Sequence, residues 1–176
     1  LKKPTAWFTF FLIGMMLPMQ VALVPISIIY NKLNLTNTYF GLFYVYIGFG
    51  ISNGILIMHG FFKGIPRDLD EAAYIDGASK WRTFINIIFP VAKPAVATLL
   101  ITDFLATWNE YLLATVIIND NKLKTVPVGL MTFVGEHGTD YGYLCAGVLV
   151  SVIPVMAVYL IVQRYFVEGM AGAVKS

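Results

Sequence analysis

Four long runs of apolar residues, separated by more polar connectors, dominate the chain. They cover about residues 6–30, 39–61, 95–118 and 143–162. A helix needs about 20 apolar residues to cross the hydrocarbon core of a bilayer. A backbone exposed to lipid must also satisfy its own hydrogen bonds, which favours helices. The pattern therefore predicts an all-α integral membrane protein, a helical bundle with four visible spans.

Basic residues are distributed unevenly among the connectors. Nine of the twelve lie before the first span, between the second and third spans, or after the fourth: Lys2, Lys3, Lys63, Arg67, Lys80, Arg82, Lys93, Arg164 and Lys175. The opposite connectors hold Lys32, Lys122 and Lys124. Because cytoplasmic connectors carry an excess of Lys and Arg, we expect both ends of the chain in the cytoplasm. Residues 119–142 then form an extracellular loop.

Composition supports residence in lipid and excludes other classes. The chain is 58% hydrophobic and 12% charged, whereas a soluble domain usually carries roughly 25% charged residues. A net charge of +2 gives little electrostatic attraction for nucleic acid, so no nucleic-acid partner is expected. The single cysteine, Cys145, lies in an apolar stretch, and we expect it to be a small buried residue.

Proline and glycine interrupt three of the predicted spans. They are Pro18 and Pro25 in the first span, Gly48, Gly50 and Gly54 in the second, and Pro154 in the fourth. Such residues are commoner in membrane helices than in soluble ones. They also produce kinks, which suit helices around a pathway that opens and closes. Composition alone leaves both interpretations open.

The connector 63–94 is too polar to span a bilayer and too regular to be a linker. Pro66 followed by acidic residues is typical of a helix start, and Gly77 of a helix stop. A second helix is predicted from near Ser79. Its apolar residues recur at helical spacing: Trp81, Phe84, Ile85 and Ile88. The pattern predicts a helix–turn–helix segment at the cytoplasmic surface.

Within this segment lies a specific motif. Glu71-Ala72-Ala73, then Gly77, Ile87 and Phe89-Pro90, closely resembles the EAA motif of membrane subunits of binding-protein-dependent ABC importers. Phe89 stands where the family usually has Leu. In the family this segment is the coupling loop, which docks on the ATPase subunit. The resemblance implies ATPase contacts for five residues: Glu71, Ala72, Ala73, Asp76 and Gly77.

Other segments resemble the carbohydrate-uptake (maltose-type) branch of that family. They are residues 16–18 with 24–25, 34–38, 108–110, 126–130 and 163–175. Members of the family normally have six spans, so the resemblance implies two more spans ahead of residue 1. It also implies that the cytoplasmic tail 163–176 contacts the ATPase dimer. Our candidates for that contact are Gly169, Gly172 and Lys175.

The resemblance implies a permease subunit of an ATP-driven sugar importer in the bacterial plasma (inner) membrane. It implies an ABC ATPase dimer, a second permease subunit and an extracellular sugar-binding protein as partners. The chain contains no GxxxxGK[ST] phosphate loop. We therefore expect it to be no enzyme and to bind no cofactor, with ATP and Mg on the partner ATPase. Two alternatives are a related permease for polyamine, phosphate or amino acid, and a membrane enzyme or scaffold.

The third span carries the candidate substrate pathway. Asp103, Thr107 and Glu110 recur at spacings that share one helical face, and Trp108 and Asn109 adjoin them. Ionisable residues at membrane depth usually face a bundle interior or water, and an indole beside hydrogen-bonding groups suits a sugar. The structural alternative is that the two carboxylates serve helix packing or the headgroup region. His137 and Asp140 are too few for a metal site.

Overall fold

The computed structural model describes residues 4–135 and 138–173. Its elements, in order, are α1 (Pro4–Met16), α2 (Met19–Lys32), α3 (Tyr39–Lys63), α4 (Asp68–Ile75), α5 (Lys80–Thr83), a π-helical turn (Phe84–Ile88), α6 (Phe89–Val91), α7 (Lys93–Trp108), α8 (Leu112–Ile117), α9 (Val126–Leu130), a 3-10 turn (Met131–Phe133), β1 (Val134–Gly135), β2 (Gly138–Thr139) and α10 (Tyr141–Ala173). The helical prediction is confirmed. The antiparallel pair β1–β2 is a small addition that the hydrophobic pattern did not indicate.

Two described helices are long and apolar enough to cross a membrane singly. They are Tyr39–Lys63 and Tyr141–Gln163. Two bent pairs also qualify: Ala6–Met16 with Met19–Lys32, bent by 93°, and Lys80–Val91 with Lys93–Trp108, bent by 66°. Counting each pair as one span gives four, the predicted number.

Prolines affect the helices differently. Pro18 precedes α2 in an extended conformation, with ψ of 132°, and the first predicted span breaks there. Pro25 and Pro154 lie inside α2 and α10, which continue through them. The prediction that Pro154 interrupts the fourth span is therefore wrong. One missing hydrogen bond does not end a helix where the neighbouring backbone has no water to bond instead.

The third predicted span, 95–118, is not one helix. α7 ends at Trp108, and the short helix α8 follows after three residues. α8 and the residue after it contribute most of one buried hydrophobic cluster, which comprises Leu42, Val45, Leu113, Ala114, Ile117, Ile118 and Val128. The apolar run predicts a membrane span because it is continuous. Its second half instead packs inside the protein.

The α2–α3 turn is tied to the segment that follows α8. Asn37 adopts a left-handed conformation, with φ of 55°, and its side-chain oxygen accepts hydrogen bonds from Asn119 N at 2.6 Å and Asp120 N at 2.9 Å. The backbone amide of Asn37 donates to the Ile117 carbonyl at 2.9 Å. These contacts fix where the predicted extracellular loop begins.

α3 is the central helix of the bundle. It packs against α1 on one side and α7 on the other, and α7 in turn packs against α10. Gly54 of α3 faces Leu99 of α7, so the Leu99 side chain packs against the α3 backbone. Along α10 many apolar side chains are uncovered, Leu149 at 71% exposure among them. Cys145 is also exposed, so its predicted burial is wrong: α10 lies at the edge of the bundle.

Candidate functional site

Two polar contacts join α3 to α7 and to the residues just after α7. The Tyr46 hydroxyl donates to Glu110 Oε2 at 3.0 Å, and the Asn53 amide donates to Asp103 Oδ1 at 2.6 Å. Tyr46 and Asn53 are seven residues apart on α3, about two helical turns. Their acceptors have the same spacing, with Asp103 on α7 and Glu110 two residues past its end. We call these four residues the polar ladder. It satisfies two carboxylates with neutral donors, as intramembrane acids require.

Glu110 has a structural role that the sequence pattern did not reveal. Its Oε1 accepts from the Leu113 amide at 2.7 Å, and its Oε2 accepts from the Ala114 amide at 2.9 Å. The carboxylate therefore satisfies two of the amide groups that the first turn of a helix leaves unpaired. It also places negative charge at the positive end of α8. Glu110 thus stabilises the start of α8 while holding α3.

A groove of about 610 Å³ lies between α3 and α7. Its wall is mainly apolar, and its polar members are Tyr46, Asn53, Asp103, Thr107 and Glu110. The Asn53 side-chain amide donates to Oδ1 of Asp103. The other oxygen, Asp103 Oδ2, lies near Gly50 and can accept a further hydrogen bond. Together with the exposed Thr107 hydroxyl, it forms a pair of hydrogen-bonding groups suited to a hydroxylated solute.

The other two candidate pathway residues face elsewhere. The Trp108 indole donates to the Ser151 carbonyl of α10 at 3.2 Å, and the Asn109 amide donates back to the Leu105 carbonyl at 2.9 Å. Neither lines the groove. Each successive helical residue turns by about 100°, so neighbours of Thr107 in sequence point away from its face.

The connector after α3 forms the predicted helix–turn–helix. α4 ends at a left-handed glycine, Gly77, with φ of 73°. The Gly77 amide donates to the Tyr74 carbonyl and the Ala78 amide to the Ala73 carbonyl, both at 3.0 Å. This pair of bonds is the Schellman arrangement, which favours glycine at that position. The predicted turn at Gly77 is confirmed.

The second helix of the segment starts as predicted but does not stay regular. Ser79 caps it, with its hydroxyl accepting from the Arg82 amide at 3.3 Å. The following turn widens, so that the Phe89 amide bonds to the Phe84 carbonyl five residues back. Pro90 comes next and lacks an amide for the α-helical ladder. The widened turn lies directly before Pro90, where the regular hydrogen-bond pattern is lost, and the chain then bends by 66° into α7.

The proposed ATPase-contact residues differ in accessibility. Glu71, Ala72, Asp76 and Gly77 are exposed, while Ala73 is only 2% exposed. The small size of Ala73 therefore serves packing within the chain, and its direct contact with a partner is not supported by this geometry. Contact of the four exposed residues with an ATPase stays a prediction.

The predicted tail contact lies at or beyond the end of the described residues. α10 continues to Ala173, so the backbone at Gly169 and Gly172 is helical and no separate tail begins at residue 163. Lys175 lies outside the described residues, as does His137. Within the described part of the chain, no group of three or more His, Cys, Asp and Glu side chains could hold a metal ion.

Comparison with known proteins decides the family. The model of the family described as "Binding-protein-dependent transport system inner membrane component" matches residues 4–171. The chain belongs to this family. The resemblance read from the EAA-like motif is therefore confirmed, and with it the membrane class of the protein.

Relatives of this inner-membrane-component family carry names that concern sugars. The "Probable starch degradation products transport system permease protein AmyC" of Thermoanaerobacterium thermosulfurigenes is 36% identical over 99% of this chain and 64% of its own length. "Multiple sugar-binding transport system permease protein MsmG" of Streptococcus mutans is 38% identical, over 96% and 61%. "Trehalose/maltose transport system permease protein MalG" of Thermococcus litoralis is 36% identical, over 94% and 60%. The chain thus spans about three fifths of their length.

Proposed function

We propose that the chain is a membrane-spanning permease subunit of an ATP-driven sugar importer in the bacterial plasma membrane. The observation that carries the proposal is the segment 63–94, where an EAA-like motif occupies a helix, a left-handed glycine and a second helix. Exposed Glu71 and Ala72 offer a surface for a partner ATPase dimer, which would hold ATP and Mg. The sugar-related names of the relatives support sugar as cargo.

The proposed mechanism is alternating access. A second permease subunit would complete the pathway, and an extracellular sugar-binding protein would deliver solute at the loop 119–142. Closure of the ATPase dimer would displace the segment 63–94, with both ends of the chain on that cytoplasmic side. The excess of Lys and Arg in the corresponding connectors supports this orientation. The 66° bend between Val91 and Lys93 joins the displaced segment to α7.

The cargo is tested by reconstitution. The full-length subunit, assembled with its ATPase, second permease and binding protein in liposomes, is expected to take up a sugar only when ATP is present. Uptake of radiolabelled sugars, polyamine, phosphate and amino acids is measured side by side. Uptake of polyamine, phosphate or an amino acid without sugar would overturn the assignment. Failure of an ATPase to co-purify would favour a membrane enzyme or scaffold.

The groove between α3 and α7 gives a second prediction. If sugar passes along it, Thr107→Val removes a hydroxyl contact, and the half-saturation constant for uptake should rise about threefold to tenfold, the value of one hydrogen bond of about 0.5–1.5 kcal/mol. Asn109→Ala is the matched control, because the Asn109 amide bonds only within α7 among the described contacts. Equal half-saturation constants in the two variants would show that Thr107 does not touch solute.

A further inference from the structure

A second cavity, of about 760 Å³, lies where α3 ends and the helix–turn–helix segment begins. We call it the basic recess. Its walls come from the last turn of α3, the connector to α4, one face of α4, and the helix that starts at Lys80. It is separate from the groove of the polar ladder, with which it shares no lining residue.

The recess concentrates positive charge. Lys63, Arg67 and Lys80 line it, against the single carboxylate of Asp70. Within the described residues the three cationic side chains form no ion pair and no hydrogen bond. All three are exposed. Their charge is therefore available to an anion from outside the chain.

The remaining wall of the recess is apolar. Phe62, Ile65, Phe84 and Ile88 face the same cavity as the cations. Trp81 lies beside it, stacked on Phe84 with ring centroids 6.0 Å apart and 71% exposed. Indole rings favour the headgroup level of a bilayer. A small inorganic anion would leave this apolar wall uncovered, whereas an amphiphile with a charged head would cover it.

The position of the recess fits the same occupant. α3 is apolar along its length and ends at Lys63, which places the cations where the span leaves the hydrocarbon. Basic pockets beside membrane helices are a recurrent setting for phospholipid headgroups. Glu71 and Ala72 do not line the recess, whereas Asp70 and Tyr74 do. A lipid in the recess and an ATPase on the exposed part of α4 would thus use different faces.

We infer that the basic recess binds an anionic phospholipid, with its phosphate between Lys63, Arg67 and Lys80 and an acyl chain against Phe62 and Phe84. The inference needs the chain's place in a membrane but does not depend on sugar being the cargo. Each cation near an anionic lipid surface contributes about fivefold in affinity. The three together are expected to contribute roughly a hundredfold.

The test uses the full-length subunit within its purified transporter, in detergent. Native mass spectrometry counts bound phosphatidylglycerol and phosphatidylcholine during titration. The recess variant K63Q/R67Q/K80Q should bind phosphatidylglycerol roughly a hundredfold more weakly than wild type. The matched control K32Q/K122Q/K124Q removes as many charges from the opposite connectors and should stay within twofold. The charge-preserving variant K63R/R67K/K80R should retain binding.

Three outcomes would overturn the inference. Equal losses in the recess variant and the matched control would indicate general surface charge. Displacement of the lipid by millimolar inorganic phosphate or glycerol 3-phosphate would identify a soluble phosphate as the ligand. Loss of the ATPase from the recess variant, with lipid binding retained, would mark the recess as a protein contact. Lipid counting requires no transport. A negative lipid-binding result would therefore leave the proposed sugar uptake to be judged separately by the liposome assay.

Discussion

A transporter carrying Gly77→Trp is expected to insert and assemble but to lose most solute-stimulated ATP hydrolysis. A Cβ atom added at Gly77 meets no atom of the described chain within 4 Å, so the position itself opens on free space. The left-handed backbone, with φ of 73°, costs a residue with a Cβ atom roughly 1–2 kcal/mol. The larger effect comes from bulk on the exposed surface that we propose docks on the ATPase.

Two further variants at Gly77 separate the effect of backbone conformation from the effect of bulk on the exposed surface. Gly77→Asn tolerates the left-handed conformation and adds a modest side chain, so we expect it to retain most coupling. Gly77→Val is β-branched and disfavoured there, so it should displace the turn that precedes the Ser79 cap. Solute-stimulated ATPase activity and uptake are measured on the same proteoliposomes. Normal stimulation in Gly77→Trp would contradict docking at this surface.

The Glu110→Ala variant is expected to show the largest loss of stability among substitutions in the polar ladder. It removes the acceptor of the Tyr46 hydroxyl and of the Leu113 and Ala114 amides. Buried donors left unsatisfied cost about 1–3 kcal/mol each, so the total should reach about 3 kcal/mol or more. The thermal unfolding midpoint of the assembled transporter in detergent measures this effect.

Tyr46→Phe is the matched control for that loss. It removes one interhelical hydrogen bond and leaves Glu110 on α8, so it should cost about 1 kcal/mol. Glu110→Gln keeps the shape and one acceptor oxygen, and its midpoint should lie between those of Tyr46→Phe and Glu110→Ala. If Glu110→Ala unfolds at the wild-type midpoint but transports poorly, Glu110 contacts solute and its capping role is dispensable.

The spans and the α4 turn could be predicted because their causes are local. Runs of about 20 apolar residues specify helices in lipid. Gly77 ends the first helix of the helix–turn–helix with its left-handed backbone, and Ser79 caps the second helix with its hydroxyl. The break at Pro18 follows from its missing amide. Each of these signals lies within a few residues of its effect.

The end of α7 and the burial of α8 depend on contacts between distant segments. Glu110 finds Tyr46, which is 64 residues away, and Asn37 binds the amides of Asn119 and Asp120 more than 80 residues away. A hydrophobic pattern reports that residues 111–118 avoid water, but not whether lipid or protein covers them. For the same reason the five pathway candidates read as one cluster, although Trp108 and Asn109 face away from the groove.

The polar ladder has a mechanical consequence. Its contacts share one antiparallel register, Tyr46 with Glu110 and Asn53 with Asp103. Sliding α7 by one residue, about 1.5 Å, would disturb both contacts together, because both donors lie on α3 while both acceptors move with α7. We therefore expect α3 and α7 to move together as one unit. We expect a displacement of the helix–turn–helix to be taken up at its own two connections, residues 64–67 after α3 and Ala92 before α7, where the chain bends by 66°.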